Sequence, residues 1–207
     1  MPYTIAAHSA VSVETVVRHS RFLATLRRVE DAGAAAAFVD EQRRRYPDAR
    51  HHCFAYVIGD TPNARVERSG DDGEPGGTAG VPMLQVLHHR DLVNVAVVVT
   101  RYFGGVKLGA GGLVRAYSGA VAAAVDAADP VARVRRELFT LAVDHGDAGR
   151  VESELRARGV GVLDTAYGEH AVLTLSTPDP GALRTLVAAA TAGSGELEPA
   201  GTVYTDG

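Results

Sequence analysis

The sequence predicts an α+β protein of two domains, on three observations. The first 30 residues alternate apolar and polar side chains, the period-2 signature of half-buried strands. Strand-like and helical stretches then alternate up to residue 128. After Pro130 a second cycle runs strand, helix, strand, strand, helix, strand, the βαββαβ order of a ferredoxin-like unit. A chain of 207 residues can build two small cores. The expected domains are residues 1–133 and 134–207, divided where Pro130, a change in charge and the start of the second cycle coincide.

Taken in order, Val11 and Val13, then Phe22, Ala24 and Leu26, mark two strands that form a hairpin or lie side by side. From Asp31 the apolar positions shift to Ala34, Ala35, Phe38 and Val39, a helix that Asp31 can cap and Pro47 stops. Residues 52–58 read as a strand. The next 22 residues, 59–80, hold six glycines and two prolines and read as a long functional or disordered loop. Residues 82–89 form a short helix with proline in its first turn, and 92–103 a strand apolar enough to be buried on both faces. A second glycine-rich loop, 104–112, opens into a helix over 113–128. The second cycle places strands at 137–143, 160–166, 171–176 and a short one at 202–204. Its helices lie at 148–158 and at 182–190, the latter started by Asp179 and Pro180.

Hydrophobic residues at 46% and charged residues at 22% exclude a disordered, collagenous or coiled-coil chain. No apolar run approaches the ~20 residues that span a bilayer, and the first ten residues lack the basic start and apolar centre of a secretory signal. The lone Cys53 cannot form an internal disulfide, and the expected location is cytoplasmic without membrane contact. The net charge of -4 conceals an asymmetry. Residues 1–133 carry 14 Arg and one Lys against 14 acids, whereas residues 134–207 carry 6 Arg against 11 acids. A polyanion would therefore meet the first part and be repelled by the second.

The sharpest local feature is Arg101-Tyr-Phe-Gly-Gly-Val-Lys-Leu-Gly-Ala-Gly-Gly-Leu-Val-Arg115. Gly104, Gly105, Gly109, Gly111 and Gly112 stand between a buried strand and a helix. There the backbone N–H groups can turn to a ligand and the helix dipole favours an anion. Lys107, the sole lysine, lies in the loop, and Arg101 and Arg115 flank it, so a phosphate or carboxylate site is expected. The segment is neither a Walker A loop nor a dinucleotide fingerprint, since Val114 stands where a third glycine is needed. The bland alternative is that these glycines serve turns and packing alone. In Ser69-Gly-Asp-Asp-Gly-Glu-Pro-Gly-Gly-Thr-Ala-Gly80, Gly77, Thr78 and Gly80 precede another helix and offer a second anion-binding turn. Asp71, Asp72 and Glu74 would suit Mg²⁺, although three acids in a glycine loop are more often a solvated turn. No other cofactor is expected.

Arg50-His-His-Cys-Phe-Ala-Tyr56 places His51 and Cys53 on one strand face and His52 on the other. Zinc would need more ligands, and Cys53 reads as a small core residue rather than a nucleophile. His88 and His89 end a helix, where an imidazole suits the carboxyl-end dipole.

Three segments, Pro47-Asp-Ala-Arg-His-His-Cys53 and the two glycine-rich motifs extended to Tyr117, resemble the IMPACT/YigZ family in the same order, and the resemblance covers essentially the whole chain. It implies a first domain with the βα fold shared by a ribosomal-protein domain and ribonuclease PH. It implies a second domain like the last domain of elongation factor G. Both associations point to RNA and the ribosome as partners. No catalytic residues carry over.

The expected function is a non-enzymatic factor that binds RNA or another phosphate-bearing ligand and influences translation. An enzyme acting on a phosphorylated or nucleotide substrate is the alternative, with the acids placing a metal and Lys107 and Arg101 holding phosphate. A protein-interaction regulatory module is the third reading. No motif for reading DNA sequence is present.

Overall fold

The computed structural model describes residues 1–7 and 10–207. The chain divides into two compact units, Met1–Arg133 and Val134–Gly207. In the first, β2 (Val11–Val17) and β3 (Ser20–Arg28) form a hairpin whose two turn residues, Arg18 and His19, both have positive φ, 45° and 65°. That is the backbone of the two-residue turn whose twist matches paired strands, here without the usual Asn-Gly. β4 (His51–Ile58), β5 (Val66–Gly70) and β6 (Val95–Tyr102) complete a sheet in the order β2-β3-β6-β4-β5, antiparallel throughout.

Helices cover both faces of this sheet. α1 (Ala32–Arg45) begins at Asp31, whose carboxylate accepts the Ala34 N–H at 2.7 Å. Its Phe38 and Val39 pack with Tyr56, Ala96 and Val98 on one face. On the other, Val95, Val97 and Val99 join Phe22, Leu26 and Cys53 beneath α2 (Gly80–His89) and α3 (Ala110–Asp126), which contribute Met83, Leu87, Leu113 and Tyr117. β6 is thus the central strand and buried on both faces, which is why it opens with the unbroken apolar run Val95-Ala-Val-Val-Val99.

The second unit comprises the later part of β7 (Pro130–Val143), then α4 (His145–Ala157), β8 (Gly161–Tyr167), β9 (Ala171–Thr177), α5 (Pro180–Ala190) and β10 (Leu197–Asp206). β9 lies between β7 and β8 and β10 pairs with β7, the ferredoxin-like order. Phe139, Leu141, Leu173 and Leu175 meet Val151 and Leu155 of α4 and Leu183 and Val187 of α5. Asp179 caps α5 by accepting the N–H groups of Gly181 and Ala182 at 2.9 and 3.0 Å.

Several expectations need correction. The span 59–80 is not one loop, because β5 runs through it and pairs with β4 as an edge strand with exposed Val66, Glu67 and Arg68. The first three residues of β5 are all exposed, so it lacks the apolar alternation that marks the other edge strand, β2. A further short strand, β1 (Tyr3–Ile5), pairs with the first three residues of β7. α2 starts at Gly80 and α3 at Ala110, so Gly80, Gly111 and Gly112 are helical rather than loop residues. β10 spans ten residues rather than three.

Two glycines separate packing from flexibility. A Cβ on Gly104 would collide with the His19 carbonyl and the Ser20 nitrogen, all backbone, whereas one on Gly119 of α3 would meet nothing within 4 Å. Gly104→Ala is expected to destabilise by about 1–3 kcal/mol. Gly119→Ala is expected to stabilise by about 0.5–1 kcal/mol, since alanine loses less entropy in a helix. Urea unfolding midpoints of the two variants check both signs.

Candidate functional site

The first glycine-rich motif folds around its own acid. The Asp71 carboxylate accepts N–H bonds from Gly77, Ala79 and Gly80 at 2.8, 3.0 and 2.8 Å, so the start of α2 is capped from within. The anion expected at Gly77, Thr78 and Gly80 is therefore the chain's own Asp71, and the Thr78 hydroxyl donates to the Pro75 carbonyl at 2.7 Å. Desolvation pushes the Asp71 carboxyl up, but the three backbone donors together outweigh it and hold the group below its ordinary value.

The other two acids of this motif have separate partners. Asp72 accepts the His52 N–H at 2.7 Å and an Arg43 guanidinium N–H at 3.0 Å. Glu74 accepts from Arg101 at 2.6 Å and from the Tyr117 hydroxyl at 2.7 Å, both on Oε1. The trio considered for Mg²⁺ does not converge on one point: among the described residues no group of three or more His, Cys, Asp or Glu is arranged to hold a metal ion.

Glu74 and Arg101 form a buried ion pair, with side chains 4% and 7% exposed. The Arg101 guanidinium lies over the Phe22 and Phe103 rings, 5.3 and 5.7 Å from their centroids, and approaches Ser20 Oγ at 3.5 Å. Its buried Nε has no hydrogen-bond partner among the described residues. Behind the pair, Tyr117 is contacted by Cys53 Sγ at 3.3 Å, and the thiol also reaches the Asp71 carbonyl at 3.0 Å. Burial pushes the Cys53 thiol up to about 12 and raises the Tyr117 hydroxyl further above its ordinary value. Such a thiol is a packing group, not a nucleophile.

In front of the pair lies a cleft of about 250 Å³ lined by Glu74, Arg101, Phe103, Lys107, Gly109 and Leu113 among others. Gly109 begins α3 with φ 70° and no side-chain cap, a conformation that favours glycine and leaves the first-turn N–H groups without the side-chain acceptor that Asp71 supplies to α2. Across Leu108 a second cleft of about 280 Å³ is lined by Arg18, Gly112 and Arg115. Lys107, Arg18 and Arg115 carry no ion-pair partner among the described residues.

The structure therefore brings Arg101, Lys107 and Gly109 into one cleft and sets Gly112 and Arg115 in its neighbour. Gly104 donates its N–H to Ser20 Oγ at 3.1 Å, and Gly105 (φ 86°) serves an exposed turn. Gly111 lies in the first turn of α3. The two glycine-rich motifs do meet, but through Glu74 and Pro75 rather than through residues 77–80. Sequence reasoning missed Phe103, half-exposed at the cleft, and Arg18, which only the hairpin carries to α3. An aromatic residue inside a glycine-rich loop was the available signal for Phe103.

Two outcomes follow from this geometry. Because the folded Asp71 carboxyl is held below its unfolded value, its stabilisation is complete above the unfolded value and disappears as pH falls through the folded one. Asp71→Asn should be less stable than wild type at neutral pH, and the gap should close as pH drops below the usual Asp range of about 3.9. Thermal unfolding across a pH series measures the gap. Cys53 should label slowly with a thiol reagent in native buffer and rapidly in denaturant; fast native labelling would restore a reactive role.

Among known sequences, the Impact N-terminal domain matches residues 18–125, and a domain of unknown function, DUF1949, matches residues 141–194. The IMPACT family member YvyE of Bacillus subtilis is 41% identical over 157 residues, 76% of this chain and 71% of that protein. The IMPACT family member YigZ of Escherichia coli is 35% identical over 168 residues, 81% and 82% of the two chains. A crystal structure described only as that of a hypothetical protein superposes with a TM-score of 0.76 at 32% identity, covering 95% of this chain and 97% of that one. A structure of the two-domain translational regulator Yih1 aligns over 58% of this chain and 48% of its own at 27% identity, with a TM-score of 0.40, too distant to inform the site. With the amino-terminal domain matched across its sheet and helices, and relatives aligned over most of their length, the chain belongs to the IMPACT family.

Proposed function

We propose that the protein is a non-enzymatic binding factor that holds a phosphate-bearing partner, RNA first among them, at the start of α3, and that it acts in the regulation of translation. The observation that carries the reading is the uncapped N-terminus of α3 beside Lys107. The 17-residue helix presents N–H groups and its positive end to the same cleft as an ammonium without an acidic partner. Arg18 and Arg115 lie across Leu108, in reach of a neighbouring phosphate of the same strand.

Local charge also favours this place. The nearby acids each have protein partners: Asp71 at the start of α2, Asp72 with Arg43 and His52, and Glu74, through Oε1, with Arg101 and Tyr117. Arg101 is paired with Glu74, whereas Lys107, Arg18 and Arg115 at the two clefts have no ion-pair partner among the described residues. The exposed Phe103 ring supplies a surface for stacking a base. The link to translation rests on the family relation, through the ribosomal-protein and elongation-factor folds that the resemblance implies.

Binding of a short single-stranded RNA over a salt series tests the proposal. Lys107→Ala and Arg115→Ala should each weaken binding by about tenfold or less, with folding intact, and reduce the slope of log K against log salt by about 0.7 for each phosphate no longer neutralised. Unchanged affinity and slope in both variants would sink it.

A further inference from the structure

We infer that Glu74 Oε2 is the cleft's acceptor for a ligand hydroxyl, so that the site selects a ribonucleoside phosphate over its 2′-deoxy counterpart; this rests on the phosphate reading of the cleft. Both protein donors to Glu74 converge on Oε1, the Arg101 guanidinium at 2.6 Å and the Tyr117 hydroxyl at 2.7 Å. Oε2 takes no hydrogen bond among the described residues and is not one of the sealed, unpartnered atoms of the interior. Glu74 is only 4% exposed, yet it lines the cleft. A carboxylate oxygen that the protein leaves without a donor, on a side chain that lines the cleft, is a strong acceptor for a ligand hydroxyl.

The ion pair thus uses one carboxylate oxygen of Glu74 and leaves the other without a protein donor, beside a helix start whose first-turn N–H groups have no side-chain acceptor among the described residues. The cleft is polarised. At its α3 end Lys107 and the helix N–H groups favour a phosphate, whereas the Glu74 carboxyl at its inner wall offers an acceptor and no donor to one.

A bare phosphate satisfies only the first end. A ligand that satisfies both carries its phosphate toward α3 and turns a neutral donor to Glu74. In a nucleic-acid strand the 3′ oxygen is esterified, so the one sugar hydroxyl left to donate is the 2′-OH, the group that distinguishes RNA from DNA. The volume, about 250 Å³, lies below that of pockets that enclose drug-sized ligands. It accommodates a sugar phosphate, with the base outside against Phe103, half of whose surface is exposed.

The experiment compares wild type and Glu74→Gln for binding of oligouridine in three forms: RNA, 2′-fluoro RNA and 2′-deoxy. The glutamine keeps a carbonyl oxygen for Arg101 and Tyr117 and places an amide where Oε2 stood. Wild type should prefer RNA to both analogues by about tenfold, the loss expected for one hydrogen bond to a charged acceptor. Glu74→Gln should bring that ratio close to one while leaving the salt slope unchanged. The 2′-fluoro strand keeps the sugar pucker of RNA and lacks only the donor, so its comparison on wild type decides the matter even where the variant fails to fold. Uridine and deoxyuridine 5′-monophosphates in the same assay separate the sources: a preference among mononucleotides assigns free nucleotide as a ligand, one among oligomers alone assigns the strand. Equal, salt-sensitive binding of all three oligomers, or an unaltered preference in folded Glu74→Gln, overturns the role of Glu74 and leaves the phosphate reading standing. Absence of binding to any oligomer, mononucleotide or inorganic phosphate overturns both.

Discussion

The first unit is organised by one buried ion pair. Arg101 is the penultimate residue of the central strand β6 and Glu74 stands in the motif before α2, and the 2.6 Å contact between two nearly inaccessible side chains fixes that motif against the sheet. Tyr117 extends the contact to α3, Cys53 to β4, and Ser20 to the β2–β3 turn, so three strands and a helix take their position at this end from one carboxylate and one guanidinium. Burying two charges is expensive, and the contacts of the pair with the Tyr117 and Ser20 hydroxyls offset part of that cost. Removing either partner would strand the other, typically at a cost of about 3–5 kcal/mol.

That arrangement also determines the electrostatics in front of it. Asp71, Asp72 and Glu74 look in the sequence like an acidic patch beside a basic loop, and as free carboxylates they would repel a polyanion. Folding turns each toward a donor of its own: three amides at the start of α2, the His52 amide with Arg43, and Arg101 with Tyr117. The two glycine-rich motifs thus divide the labour. The first supplies its own anion and closes on itself, while the second leads through Gly109 into α3 with no side-chain acceptor among the described residues, beside Lys107. The two helix starts differ in whether the preceding turn brings back a carboxylate.

Much of the fold was legible from local pattern. Phe22, Ala24 and Leu26 on β3 and the valines of β6 declare their burial by period and by continuity, and Asp31 and Asp179 cap the helices that they precede. The βαββαβ order after Pro130 was readable because each of its helices and most of its strands bury a regular stripe. β5 and β1 were not readable. The first three residues of β5 are all exposed, unlike the alternating edge strand β2, so it shows no period-2 signal, and three residues of β1 are too few for a period.

The sequence by itself determined the secondary structure of the buried elements, the position of the glycines and the set of charged residues available. Only the tertiary structure decided which charges are free. Asp71 and Lys107 are both charged residues in glycine-rich motifs that lead into helices, and nothing in their neighbours along the chain says that one is consumed by backbone amides while the other stands without an ion-pair partner among the described residues. Arg101 and Glu74 are 27 residues apart, and Arg18 reaches the α3 surface only because a two-residue hairpin folds it there. A hydrogen bond depends on distance in space to a fraction of an ångström, and sequence separation carries no such information.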